Sequence, residues 1–433
     1  MLTYAQPFRL SDTGSDRATA YNFCNKAVTL DGRTHVVWTD SIAVTRACNY
    51  DHAADRWGEP VRLGLGADNH NSPTLTADRD GRLHLAYGPH GMYKPYEDDF
   101  PRGKFKYAVA DEPGSLRGLE KTLAPFGYAG TYPCLLNTPG GEDVIVYRGG
   151  EPPCPLLFQK RLLHGGWTTA QSLMRQEMDP QYTHVNAMVA CDAQGTLYVA
   201  GHFFAGNRND SLGIAVLRSD DGGQTWTDMR GRSTSVPICF DERFSVPAGD
   251  LTHDARLDGI VVDDRGTPWV LTSTFGAHDR TMLLSRWDGT CWQPTRVETF
   301  VPDDLTPVMG GLSVDVRGRL HIVCTVFPTA AIATNKPDRY MGDDDTWWGH
   351  RTLEAAHLVS SDGGRTFSYH QVSPPDDSVA HWLPAISKPG PFHPVEHPVI
   401  LFTRGMSGHR TKPSDPCRND VLTEVYAVLT TET

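Results

Sequence analysis

One two-strand pattern returns along this 433-residue chain: a polar or aromatic residue, a short alternating strand, an Asp/Gly turn, then a second strand of β-branched and aromatic residues. The clearest copies run from His70 to Tyr87 with the turn at Asp78 and Gly81, and from His184 to Ala200 with the turn at Asp192 and Gly195. Two more run from His253 to Leu271 through Asp263 and Gly266, and from Val308 to Cys324 through Asp315 and Gly318. Looser copies join Asn22 to Trp38 through Asp31-Gly32, Tyr132 to Tyr147 through Gly140-Gly141, and His381 to Phe402 through Pro389-Gly390. Such repetition constrains the fold more than any local propensity, because each unit has to bury its apolar face against the next.

The seven hairpins recur every ~60 residues, longer than most propeller repeats but compatible with long loops. Another strand pair follows each hairpin, as in Lys104 to Ala110, Pro155 to Leu162, Gly213 to Arg218, Thr281 to Trp287 and Ala355 to Ser360. Each unit therefore holds about four strands, and the sequence predicts an all-β fold, a single seven-bladed β-propeller spanning residues 1–433. Two outer pairs carry the turn S-x-D-x-G-x-T-[WF], at Ser219 to Trp226 and Ser360 to Phe367. In this Asp-box the Asp accepts backbone N–H bonds and the glycines supply positive φ, so its role is structural. Too few strands follow His381 to fill a blade, and Gln6 to Ser11 stands as an orphan strand before the first unit. The sequence predicts that this strand completes the last blade.

A net charge of −12 without a Lys/Arg block excludes nucleic acid as a partner, since phosphates demand a basic footprint. No apolar run approaches the ~18 residues of a membrane span, so no membrane partner is expected. Met1 to Leu10 lacks the pattern of a secretory signal, which sets the expectation of a cytoplasmic protein, or a secreted one that has been trimmed. Nine scattered cysteines without a CxxC fit reduced, buried thiols. Oligomeric state is expected to be monomeric or a small homo-oligomer.

In a propeller the ends of the inner strands converge on one face of a central channel. At the first position of the repeat stand His70, Tyr132, His184, His253 and His381; at the end of the paired strand stand His90, Arg148, His202 and Arg404. Imidazole, phenol and guanidinium groups at repeated points of several units mark a site. The sequence here resembles the BNR-repeat propeller polysaccharide lyases, ulvan lyases and rhamnosyl-glucuronate lyases among them. The likeness rests on Asp68-Asn-His70-Asn-Ser-Pro73, on His84 and His90, on Thr131-Tyr132-Pro133 and on Tyr147-Arg148-Gly-Gly150, over about residues 65–150. Twenty residues separate His70 from His90 and sixteen separate Tyr132 from Arg148, spacings similar to the family's.

The resemblance implies β-elimination at a 4-linked uronic acid, with a rhamnose-glucuronate linkage favoured and an anionic glycan as partner. It assigns Arg148 to the carboxylate, His70 and Tyr132 to the acid/base pair with their order open, and His90 to the completion of the site. His184, His202, His253, His381 and Arg404 are expected to line substrate subsites, joined by Arg208 from its loop. Walls for the sugar are expected at Gly91 to Phe105 and at Ala330 to Trp348, the latter carrying Tyr340, Trp347 and Trp348.

No cofactor is required by this chemistry. His393 and His397 have zincin spacing, but Pro394 and Pro398 break the helix such a site needs. Asp343 to Asp345 could hold a structural calcium ion. The competing readings are a sialidase-like glycoside hydrolase, which would need an arginine triad, a Tyr/Glu nucleophile pair and an Asp acid, another hydrolase, which would need paired carboxyl groups and has only Asp254 beside His253 to offer, and a carbohydrate-binding propeller without activity.

Overall fold

The computed structural model describes the chain except residues 1, 67, 89, 91–103, 122–125, 128–129, 151–152, 163–164, 177–185, 205–210, 250–254, 275–280, 333–349, 406–421 and 433. His184, Arg208, His253, Asp254, the acidic run 343–345, Tyr340, Trp347, Trp348 and Cys417 lie outside the described residues.

Seven small antiparallel sheets follow one another along the chain and form the seven blades of a β-propeller. The predicted hairpins are their inner strands: Ala27–Leu30 with Arg33–Thr39, Thr74–Ala77 with Leu83–Tyr87, Thr131–Asn137 with Asp143–Arg148, and Ala187–Cys191 with Leu197–Phe204. Ala255–Val262 with Pro268–Thr274, Leu305–Val314 with Leu320–Pro328, and Ala380–Ile386 with Val399–Gly405 complete the set. Strand number varies more than the repeat suggests. The second blade has three strands among the described residues, and the fourth gains extra short ones outside its Asp-box.

The strands of these hairpins are mostly buried, whereas outer strands such as Trp292–Arg296 and Ser368–Gln371 keep exposed residues. Leu156, Phe158, Leu217 and Trp226 fill one interface between neighbouring blades; Leu271, Leu284, Ile322 and Leu358 fill another. The core is therefore a ring of such seams around the channel. The Asp-boxes close as expected: Asp221 Oδ1 accepts from the Thr225 amide at 2.9 Å and Asp362 Oδ1 from the Thr366 amide at 3.0 Å, while Trp226 is buried against the neighbouring blade.

The orphan strand closes the ring. Phe8–Gly14 pairs antiparallel with Thr423–Glu432, the strand outside Val399–Gly405 in the last blade, and Leu2–Tyr4 extends the same pairing. From there the chain passes inward between the first and last blades. Ser15 N–H bonds Thr39 O at 3.1 Å, Thr39 N–H bonds Ala18 O at 3.0 Å, and Thr19 Oγ1 donates to Leu383 O at 2.8 Å. All eight cysteines among the described residues are free thiols, five of them buried.

Candidate active site

Asp68-Asn69-His70-Asn71-Ser72 forms a buried turn just ahead of the inner strand of the second blade, and the side chains of Asp68, Asn69, His70 and Asn71 each have a polar partner. Asp68 Oδ1 accepts from the His70 amide at 2.7 Å, which closes an Asx turn and lifts the imidazole off the strand. Asn69 donates to Asp16 Oδ1 at 2.9 Å, and Asn71 donates to Thr45 Oγ1 at 2.5 Å, so the turn is pinned on both sides.

Asp68 then orients two imidazoles. His70 Nδ1 lies 3.0 Å from its Oδ1 and His90 Nδ1 2.7 Å from its Oδ2, and the two rings stack with centroids 3.9 Å apart. Burial disfavours charge on His70, and the Arg17 cation, with His90 beside it, adds to this, so its pKa falls well below the usual histidine range despite Asp68. Asp68 is itself held well below the carboxylate range: burial opposes its charge, but the two imidazoles outweigh it. The ligand-type atoms of Asp68, His70 and His90 lie within 4.8 Å of one another. Each Nδ1 is nevertheless at hydrogen-bond distance from its own carboxylate oxygen, the geometry of a carboxylate that fixes two rings through Nδ1–H.

Tyr132 reaches this group from the third blade. Its φ of +58° lies in the left-handed region, and the strand register slips between Thr131 and Cys134. A bulge of this kind re-aims a side chain, and a bulky residue adopts such a backbone only where its surroundings impose it. The phenol ring stands 6.0 Å from the His70 ring and 6.4 Å from the His90 ring, centroid to centroid. Arg148 ends the partner strand opposite Thr131 and lies buried with its guanidinium carbon 4.7 Å from the Tyr132 ring centroid. Four residues from two blades thus converge as their spacing suggested.

The remaining predicted contacts fare differently. His202 is wholly buried, with Nε2 2.7 Å from Ser211 Oγ, and offers no surface to a sugar. His381 is also buried, with Nδ1 2.9 Å from Glu354 Oε2. Arg404 is held by Asp376 and Glu424, each at 2.8 Å. His202 and His381 are therefore spent within the fold, and the expected subsite role is corrected for them; Arg404 is ion-paired but keeps a partly exposed side chain. His393 Nε2 is 3.0 Å from Thr76 Oγ1, a structural contact.

The bulges set the repeat register differently from the residue pattern. Tyr132, Met309 and Leu383 share a left-handed backbone at the bulge of the inner strand, and Ser72 has the same backbone just ahead of it. By that criterion His70 and His381 precede the position of Tyr132 by two residues.

Two residues escaped the sequence reading. Arg17 is buried, and its Nη1 lies 2.5 Å from His70 Nε2; the same atom meets the Tyr21 hydroxyl. The Tyr21 ring packs 4.9 Å from that of Tyr132. Both lie in Ser15 to Tyr21, ahead of the first repeat, so no repeat alignment could reach them; an arginine between Asp16 and a run of small residues was the one available signal.

The chain belongs to the BNR repeat-containing family, whose model matches residues 25–300, more than half its length. Among curated proteins it is similar to the ulvan lyase of Nonlabens ulvanivorans, 25% identical over 170 residues, 36% of this chain and 36% of the relative. The ulvan lyase of Alteromonas sp. (strain LOR) is 22% identical over 243 residues, 49% of this chain and 50% of the relative. The matched regions thus span between about a third and a half of those relatives. A solved PL25 ulvan lyase bound to -[GlcA(1-4)Rha3S]- superposes with a TM-score of 0.69 at 15% identity, covering 97% of this chain and 95% of that one. The polysaccharide lyase Uly1 gives 0.62 at 12% identity, covering 99% and 100%. Both likenesses show the propeller fold.

Proposed function

We propose that the protein is a polysaccharide lyase that cleaves a 4-linked uronic acid by β-elimination, with a rhamnose-glucuronate linkage as the favoured substrate. The observation that carries this reading is the buried cluster of two Asp68-bound imidazoles, one phenol and one arginine. The family membership and the names of its relatives agree with it.

The C5 proton lies next to a carboxylate, so its removal places negative charge beside existing negative charge. Arg148 meets that charge with a bidentate guanidinium, and preorganised charge of this kind is commonly the largest catalytic term. His70, neutral and with its Nδ1 bound to Asp68, carries the lone pair of the base on Nε2, the nitrogen that Arg17 contacts in the free protein. It takes the proton from C5; the C5–H electron pair forms the C4=C5 double bond; the C4–O4 bond breaks, and O4 receives a proton from the Tyr132 phenol. His90 shares the Asp68 carboxylate and stacks on His70, which keeps the base ring in register.

Most glycoside hydrolases need two carboxyl groups flanking the scissile bond. In the described cluster Asp68 is engaged by both imidazoles and Asp16 by Asn69, which favours the lyase. Appearance of the ultraviolet absorbance of an unsaturated uronate from ulvan or rhamnosyl-glucuronate oligosaccharides tests the proposal; new reducing ends without that absorbance would replace it with a hydrolase.

A further inference from the structure

We propose, building on the lyase reading, that Arg17 is a positioning residue that holds His70 unprotonated in the free enzyme and gives it up to the uronate carboxylate when substrate binds. The argument begins with donors and acceptors. A guanidinium is always charged and only donates. At 2.5 Å from Arg17 Nη1, His70 Nε2 therefore presents its lone pair, and Nδ1 must carry the hydrogen that Asp68 accepts at 3.0 Å. An imidazolium would set N–H against N–H. The contact thus selects one tautomer and excludes the charged ring.

The same contact covers the base. While Arg17 sits on Nε2, no C5 proton can be transferred to that nitrogen. A bound uronate brings one group able to compete for the guanidinium, its carboxylate, whose two oxygens match the guanidinium fork. Exchange of the imidazole for the carboxylate uncovers Nε2, adds a second arginine to Arg148 at the reacting acid, and makes the base available only when a free carboxylate is present. Neutral or esterified sugars would leave it covered.

The fold supplies a rigid anchor for this. Ser15, Ala18 and Thr19 are sewn to the first and last blades, and Arg17 N–H donates to Ser15 Oγ at 3.2 Å. Among the described residues, the charged and titratable groups that face His70 are Arg17 and Tyr21 from this segment, Asp68 from its own turn, His90 from the end of its blade, and Tyr132 with Arg148 behind it from the third blade. Of these Arg17 is the permanent cation that touches the ring, and its influence on His70 ranks next after burial.

The test is an NMR titration of His70 in the full chain, assigned with His70→Gln, together with the pH profile of kcat/KM. Wild type should show the Nδ1–H tautomer with no protonation near the usual histidine range. In Arg17→Met the titration should rise by about one pH unit or more, the acid limb of kcat/KM should move up with it, and kcat should fall. Arg17→Lys keeps the charge without the fork, so the depressed titration should survive while kcat still falls; it also serves if Arg17→Met does not fold. A folded Arg17→Met with unmoved titration and unmoved acid limb overturns the proposal. Failure of wild type on every uronate glycan would sink the lyase reading, while the titration would still decide whether Arg17 holds His70.

Discussion

At the scale of single residues, charge placement governs the site. Arg148→Ala should lower kcat by about 10²–10³-fold, because the developing charge at C5 loses its preorganised partner; a loss confined to KM would show instead that the arginine only binds. Asp68→Asn should cost about 10²-fold or more in kcat, since an amide no longer accepts from both imidazoles and releases their tautomers. Wild-type rates in that variant would remove Asp68 from the account. A different, buried residue bears on stability. Asp258 is buried, and burial pushes its carboxyl up to about 7 although Ser273 and the Gly310 amide oppose the shift. Its folded-state pKa exceeds the unfolded one, so folding loses stability as pH rises from the carboxylate range through about 7. Asp258→Asn should therefore raise the melting temperature above neutrality and change it little in acid; the opposite order in a thermal-shift series would show that its charge is accommodated. The His70, His90, Tyr132 and Arg148 cluster was legible because histidine, tyrosine and arginine stand at marked spacings, whereas Arg17 was not, since its importance comes from a contact across 53 positions of sequence.

Blades are the next scale. His84 links the second blade to the third: Nδ1 lies 2.8 Å from Asp143 Oδ2 and Nε2 3.1 Å from Asp78 Oδ2. Burial opposes its charge, yet the two carboxylates outweigh burial and raise its pKa to about 9. A raised pKa gives stability that is complete below the unfolded value and is lost as pH climbs through about 9. His84→Leu should cost about 3–5 kcal/mol near neutrality, the penalty for stranding buried partners, and its deficit against wild type should narrow in alkaline denaturation series; a deficit that widens there would contradict the ion-pair assignment. From sequence, His84 was one residue of a family-like motif and its bridging role was hidden, because Asp143 belongs to another repeat. The hairpins themselves were visible, since alternating apolar residues and an Asp/Gly turn declare them locally. Bulges were not. Whether Tyr132 or His70 occupies the matching position depends on backbone torsions that residue types barely constrain, and the Ser211 partner of His202 stands nine positions along the chain.

For the whole molecule, closure is the point on which stability and chemistry meet. Phe8–Gly14 completes the last blade from outside, and the residues that follow carry Arg17 to the centre. Removal of residues 1–14 should lower the melting temperature by about 5 °C or more and depress turnover as well, because the anchor of Arg17 loosens; unchanged melting would mean that the last blade holds without its outer strands. The incomplete last unit made this closure legible in the sequence, while its consequence for the site was not. The central claim is elimination at the Asp68, His70, Tyr132 and Arg148 cluster. It is tested most directly by following unsaturated-uronate absorbance over time with ulvan and rhamnosyl-glucuronate oligosaccharides, using wild type, Arg148→Ala and His70→Ala. A rise in wild type that both variants lose is the predicted result; no rise with any uronate glycan, or a rise that survives both substitutions, would contradict it.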